Sequence, residues 1–197
     1  MNITVVFPTR SEAKFFTRTD VNTLFCGVGL IESTFGTYKA ILETKPDIII
    51  MAGIAGVYPG VDLAVGDTVM VSREIQADLG LFGRNGFAHL GEGELEMDFV
   101  PLVSIDCPFA RKQTLFPTAV SNSMNCGLAP FIKTEGVDIE NMEGAGFFHV
   151  ANQLDVEFCQ LRTISNLVDV EDDAWDYETS ITKLTVALNT LIDSLIK

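Results

Sequence analysis

The sequence predicts an α/β fold built on a largely parallel sheet that is covered on both faces. Two observations carry this. The apolar runs at Ile3–Phe7 and Asp47–Ala52 do not alternate with polar residues, the pattern of strands buried on both sides. Between and after such runs lie segments whose apolar residues recur every three or four positions, the helical period. Strands alternating with helices of this kind make a parallel sheet.

Each element can be justified in order. Ile3–Phe7 reads as a buried first strand ending at Pro8. Thr23–Val28 is a second, closed by Gly27 and Gly29. Ile31, Phe35, Tyr38 and Leu42 step by four, three and four, the apolar stripe of a helix that stops before Pro46. Asp47–Ala52 follows as a continuous apolar strand ending at Gly53. Gly66–Leu79 opens on a Gly-Asp turn and carries Val69, Val71 and Ile75, one further strand or a pair. In residues 83–98 glycines are interleaved with Glu92, Glu94, Glu96 and Asp98, a loop that serves either as a lid or as a plain solvated excursion. Residues 121–137 are also loop-like. Glu143–Leu154 sets Phe147, Val150, Ala151 and Leu154 on one helical face. Phe158–Ile164 is a strand followed by a polar turn at Ser165-Asn166. Asp169–Asp176 is strongly acidic, and a last helix places Ile181, Leu184, Leu188, Leu191 and Leu195 on one side. No repeat, low-complexity linker or composition break divides the 197 residues, so one domain over 1–197 is expected.

Composition excludes several classes of function. With 13 Lys+Arg against 27 Asp+Glu the net charge is -14. A surface that acidic repels phosphate backbones and anionic lipid, which argues against nucleic-acid and membrane partners. An anionic substrate would need its own local cation. Cys26, Cys107, Cys126 and Cys159 form no C-x-x-C pair and read as reduced core cysteines. The first residues carry no basic, then apolar, signal pattern, and no apolar run approaches the ~20 residues of a membrane span. A cytoplasmic location is the expectation. His89 and His149 offer no metal-ligand spacing, and His149 reads as structural. Gly53-Ile54-Ala55-Gly56 matches neither a phosphate loop nor a dinucleotide fingerprint.

Open α/β sheets bind ligands at the carboxyl ends of their strands. Three polar clusters fall at such places: Pro8-Thr9-Arg10-Ser11-Glu12, Asn141-Met142-Glu143-Gly144-Ala145 and Ser165-Asn166. Either glutamate alone could be an acid in the first turn of a helix, favoured there by the dipole. Two together with a third matching cluster point to a site. Trp175 either closes over a substrate or packs.

These residues carry a resemblance. Asn141-Met142-Glu143-Gly144-Ala145, a helix and then Leu161-Arg162-Thr163-Ile164-Ser165-Asn166 resemble the purine nucleoside phosphorylase / methylthioadenosine nucleosidase superfamily. So do Gly53-Ile54-Ala55-Gly56, Val65-Gly66-Asp67-Thr68-Val69 and Glu12 after the first strand. The resemblance spans most of the chain. It implies a three-layer sandwich, a twisted mixed β-sheet flanked by helices, with no metal and no cofactor. It also implies cleavage of a purine N-glycosidic bond in a small-molecule nucleoside, and a homo-oligomer.

Within the superfamily, Asn141 before Met142-Glu143, the Ala77-Asp78-Leu79-Gly80 segment and a second box ending Ser-Asn resemble the futalosine-cleaving branch. The adenine-nucleoside enzymes end that box in Ser-Asp. By this resemblance Glu12 is the base that activates water and Glu143 holds the ribose hydroxyls. Met142 packs on the ribose, Ser165 orients Asn166, and Gly53, Ile54 and Ala55 line the cleft through their backbone. Asn166 faces the base. A 6-oxopurine offers an acceptor at O6, which an amide NH₂ satisfies and a carboxylate does not. Arg10, two residues before Glu12, is the expected partner for a carboxylate at the far end of a futalosine-type substrate, because a planar guanidinium fork suits a carboxylate. A phosphorylase would need a cationic cradle, yet Gly66 stands where related hexameric phosphorylases carry an arginine. A methylthioadenosine-type nucleosidase and a silent nucleoside-binding protein are the other readings.

Overall fold

The computed structural model describes residues 1–91, 102–169 and 174–196. Along it run β1 (Ile3–Phe7), β2 (Asn22–Phe25), α1 (Leu30–Thr44), β3 (Ile48–Val57), β4 (Thr68–Gln76), β5 (Gly80–Gly83) and β6 (Gly86–His89). These are followed by β7 (Ser104–Asp106), α2 (Pro108–Lys112), β8 (Thr118–Ser123), β9 (Ile139–Asn141), α3 (Gly144–Gln153), β10 (Glu157–Leu167) and α4 (Tyr177–Leu195).

The expected mixed, twisted sheet with helices is present, and it also closes on itself. β3 pairs in parallel with β1 and β10 and antiparallel with β9. β10 returns antiparallel onto β4, β4 runs parallel to β8, and β8 runs parallel to β9. The pairings β3–β10–β4–β8–β9–β3 therefore form a ring, with β1 and β2 extending one side. Two register shifts assist the curvature, between Val71 and Arg73 and between Ile164 and Asn166. A bulge increases local twist and bends the strand.

One consequence positions the site. Along one edge of β3, residues Ile48–Met51 pair with β1, and Gly56–Val57 pair with β9. Ala52–Ala55 lie in the fork between these two neighbours. Their backbone groups on that edge are left for side chains to use. The strand was expected to stop at Gly53; it runs on to Val57, and the fork sits within it.

The core is the apolar matter of β1, β3 and β10 with the helices against them. Phe147, Phe148 and Phe158 make an edge-on aromatic cluster under α3. On α4 the periodic residues Ile181, Leu184, Leu188 and Leu191 are buried, as their spacing predicts. Its N-cap Asp176 accepts from the Thr179 amide at 3.0 Å.

Helix α1 reverses its expectation. Ile31, Phe35, Tyr38 and Leu42 are exposed, Ile31 at 80%. The buried side carries Leu30, Ser33, Thr37, Ala40 and Ile41. Small residues let this side approach its neighbours closely. A Cβ on Gly36 would lie 2.3 Å from the Cys26 carbonyl oxygen, and one on Gly146 of α3 would lie 2.5 Å from Thr34 Oγ1. The helix ends at Lys45, in the left-handed region at φ 46, just before Pro46.

Other expectations are corrected in detail. The second strand stops at Phe25 and is a largely exposed edge. Residues 80–89 form the β5–β6 hairpin rather than loop from 83 onward, whereas residues 92–98 of the predicted loop lie outside the described residues. Residues 121–123 belong to β8. Ser165 and Asn166 lie inside β10, at its register shift, and not in a turn after it. Cys126 and His149 are exposed, while Cys26, Cys107 and Cys159 are buried thiols. Among the described residues no helix is long and apolar enough to cross a membrane.

Candidate active site

A cavity of about 360 Å³ opens at the fork in β3. That size suits a small organic ligand. Its polar floor is Glu12, Glu143, Arg162 and Asn166. Its outer wall is Val28, Leu128, Trp175 and Tyr177, with Met142 and the Ile54–Gly56 backbone completing the rim.

Glu12 reaches the floor because of a local turn. Its amide donates to Thr9 Oγ1 at 3.2 Å, and the Thr9 hydroxyl donates back to Glu12 Oε2 at 2.7 Å. The other carboxylate oxygen accepts from the Ile54 amide at 3.1 Å, one of the groups that the fork leaves unpaired. Glu12 is 4% exposed. Burial raises its pKa above the usual glutamate value; the Thr9 hydrogen bond and the Arg162 charge oppose this, and the Glu143 charge adds to it.

Glu143 is the residue at the N-cap of α3, and Asn141 holds the turn that leads into the helix. Asn141 Oδ1 accepts from the Glu143 and Gly144 amides at 2.8 and 2.7 Å. The Glu143 side chain, 5% exposed, lies 3.1 Å from Arg162 Nη2 and accepts from the Gly29 amide at 3.4 Å.

Arg162 is the largest buried side chain of the floor, 1% exposed on β10. Nη1 donates to the Ile54 carbonyl at 3.0 Å, and Nη2 lies 2.9 Å from Asn141 Oδ1. The guanidinium thus ties β3, β9 and β10 together beneath both glutamates. Gly53 is glycine because of it: a Cβ there would lie 2.5 Å from Arg162 Nη1 and 3.0 Å from Glu12 Oε1.

Asn166 faces the cavity from β10. Ser165 Oγ lies 2.8 Å from Asn166 Oδ1 and 3.1 Å from the Ala55 carbonyl. One Asn166 N–H donates to the Leu167 carbonyl at 3.1 Å. The Leu167 carbonyl can only accept, so it fixes which end of the amide carries the N–H groups, and the serine hydroxyl faces the amide oxygen.

The structure therefore brings Glu12, Met142, Glu143, Asn166, Ile54 and Ala55 to one cavity. Gly53 and Ser165 sit directly behind it. Arg10 is not brought there. It is exposed, with its guanidinium 4.6 Å from the Phe25 ring centroid in a neighbouring groove. The turn that points Thr9 and Glu12 inward points Arg10 outward. Sequence reasoning gave no role to Arg162, Thr9 or Tyr177. A signal for the first was present: an arginine inside the apolar run Phe158–Ile164 must be buried, and a buried charge needs partners.

A closed mixed sheet with two buried carboxylates and an amide at the strand ends defines a class, and the chain belongs to the phosphorylase superfamily, whose profile matches residues 10–197. It is 28% identical to the futalosine hydrolase of Thermus thermophilus, over 84% of this chain and 78% of that protein. It is 24% identical to a 5'-methylthioadenosine/S-adenosylhomocysteine nucleosidase of Maridesulfovibrio salexigens, over 90% and 81%. Its fold is shared with the Helicobacter pylori methylthioadenosine nucleosidase, solved as a D198N mutant with 5'-methylthioadenosine in the active site: TM-score 0.78, 18% identity, 98% of each chain.

Proposed function

We propose that this protein hydrolyses the N-glycosidic bond of futalosine, releasing hypoxanthine and dehypoxanthine futalosine, a step of menaquinone biosynthesis. The observation that carries the reading is the pairing of two differently partnered buried carboxylates with an amide, Asn166, on one cavity. The similarity to the Thermus enzyme supports it.

In this reading Glu12 takes a proton from water as the water oxygen bonds to the ribose C1′ and the bond to the base nitrogen breaks. A carboxylate with a raised pKa is a better match for general-base work near neutral pH. Glu143, fixed by Arg162, accepts from ribose hydroxyls and counters positive charge as it builds on the sugar. The bond pair leaves with the purine. Asn166 donates to the departing base, at N7 or O6, through the N–H that does not bond Leu167. Met142 packs against the ribose.

The second reading, a methylthioadenosine-type nucleosidase, keeps the same floor and differs at the base. Its support is the Maridesulfovibrio relative. A phosphorylase is less well supported: among the described lining residues Arg162 is the cation, and its two Nη groups already face Ile54, Asn141 and Glu143. The test is base release from futalosine, inosine and methylthioadenosine, with and without phosphate. Phosphate-independent release of hypoxanthine, fastest from futalosine, is expected. Faster release of adenine from methylthioadenosine would replace the first reading by the second.

A further inference from the structure

Behind the floor lies a third carboxylate that does not touch the cavity. Glu74 on β4 is 1% exposed. Its Oε1 accepts from Asn141 Nδ2 at 2.8 Å and from Gln160 Nε2 at 2.7 Å, and its Oε2 accepts from the Ser123 hydroxyl at 2.7 Å. A Cβ on Gly144 would lie 1.9 Å from Glu74 Oε1, so the start of α3 leaves room for this carboxylate only because residue 144 is glycine.

The link forward runs through Asn141. An amide has one donor end and one acceptor end, and its environment fixes which way it points. The NH₂ end of Asn141 is taken by Glu74 and by Ser121 Oγ at 2.7 Å. Its oxygen is thereby turned toward Arg162 Nη2 and the amides of Glu143 and Gly144. A flipped Asn141 would set NH₂ against three donors. Serine hydroxyls can turn to suit either orientation. A carboxylate accepts only, so of the two partners at the NH₂ end Glu74 is the one that adds to the cost of the flip.

We infer that Glu74 is a positioning residue: through Asn141 it sets the guanidinium of Arg162 and the backbone at Glu143, and so aims the Glu143 carboxylate at the substrate. The inference rests on the reading of Glu143 as the ribose-binding group. Burial also pushes the Glu74 carboxyl up to about 7.

The test is Glu74→Gln, which keeps the shape and replaces one acceptor oxygen by a donor. A loss of ~10-fold or more in kcat/KM on the ribonucleoside is expected, with little loss on its 2′-deoxy analogue and a cooperative thermal transition retained. In a Glu143→Ala background Glu74→Gln should add no further loss. Equal losses on both substrates, or additive losses in the two backgrounds, would make Glu74 a merely structural group and overturn the inference. The Asn141 side-chain amide signals, read by NMR without substrate, test the clamp separately. They should be displaced downfield in the wild type and move in Glu74→Gln; unmoved signals overturn it. An inactive wild type with the amide shift present would fail the functional reading while leaving the clamp intact. If Glu74→Gln does not fold, Asn141→Ala reports the same link from the other side, and failure of both to fold assigns Glu74 to folding instead.

Discussion

Glu12 and Glu143 occupy the two sides of one floor, are almost equally buried, and are built differently. Glu12 is held by a hydroxyl and a backbone amide, Thr9 and Ile54. Glu143 is held by a guanidinium, itself fixed to two other strands. Neutral donors leave a buried carboxylate able to exchange a proton. A hydrogen-bonded ion pair holds charge in place and suits an anchor. In the proposed reaction one residue type in two environments serves as a base and as a binding group, and both environments draw on the fork in β3.

Breaking the base side should cost most. Glu12→Gln should lower kcat by ~10²-fold or more, the usual scale for loss of a general base, while the fold survives by circular dichroism. Near wild-type turnover would remove Glu12 from the reaction. The same side predicts a pH effect. Glu12 must be ionised to accept a proton, and its folded pKa lies above that of an ordinary glutamate. The acid limb of kcat/KM should therefore fall with an apparent pKa above ~4.3, and Glu12→Gln should lose that limb.

The anchor side should cost less and be selective. Glu143→Ala should reduce kcat/KM on the ribonucleoside by ~10–100-fold, the scale of a charged hydrogen bond, and change the 2′-deoxy analogue little. Equal losses would mean that Glu143 does not read ribose hydroxyls.

The base-recognition end offers a smaller and directional change. Asn166→Asp should move the ratio of 6-oxopurine to 6-aminopurine nucleoside cleavage toward the amine by about tenfold or more, because the donor facing position 6 becomes an acceptor. A ratio that stays put would separate Asn166 from base choice.

The third carboxylate sharpens the contrast through stability. Glu74 has a folded pKa raised by burial to about 7 from an ordinary 4.5. A raised acid contributes stability that is present below the unfolded pKa and is lost as pH rises through the folded one. Wild-type Tm should therefore fall relative to that of Glu74→Gln between about pH 5 and 8. A constant difference across that range would mean that Glu74 does not titrate there.

The mildest change lies on the outside. Phe35→Ser removes an exposed ring, so the unfolding free energy of the monomer should shift by no more than ~0.5 kcal/mol. Self-association through the exposed α1 stripe is our proposal for that surface, since contiguous exposed apolar residues mark contact sites. Ile31→Asp with Phe35→Asp should then lower the sedimentation-derived mass, and an unchanged mass would place any interface elsewhere.

The amino-acid sequence alone determined the α/β class, the order of the main elements and the three polar clusters. Local physics suffices for these: unalternating apolar runs mark buried strands, a three-to-four period marks helices, and a polar cluster after a strand marks a strand end. Tertiary structure decided what such patterns leave open. Period reports that α1 and α4 each have an apolar stripe, but not which side is covered. α4 buries its stripe on β10 and β3, whereas α1 docks through Ser33, Gly36 and Ala40 and leaves its stripe exposed. Likewise Arg162 lies 21 residues from Asn141 and 108 from Ile54, and Glu74 lies 67 from Asn141, and the ring closure of the sheet brings these groups together, whereas Arg10, two residues from Glu12 in sequence, turns away from the cavity. Neighbours along a chain share a turn but not a direction, while strands that diverge around a fork bring distant side chains within hydrogen-bonding reach.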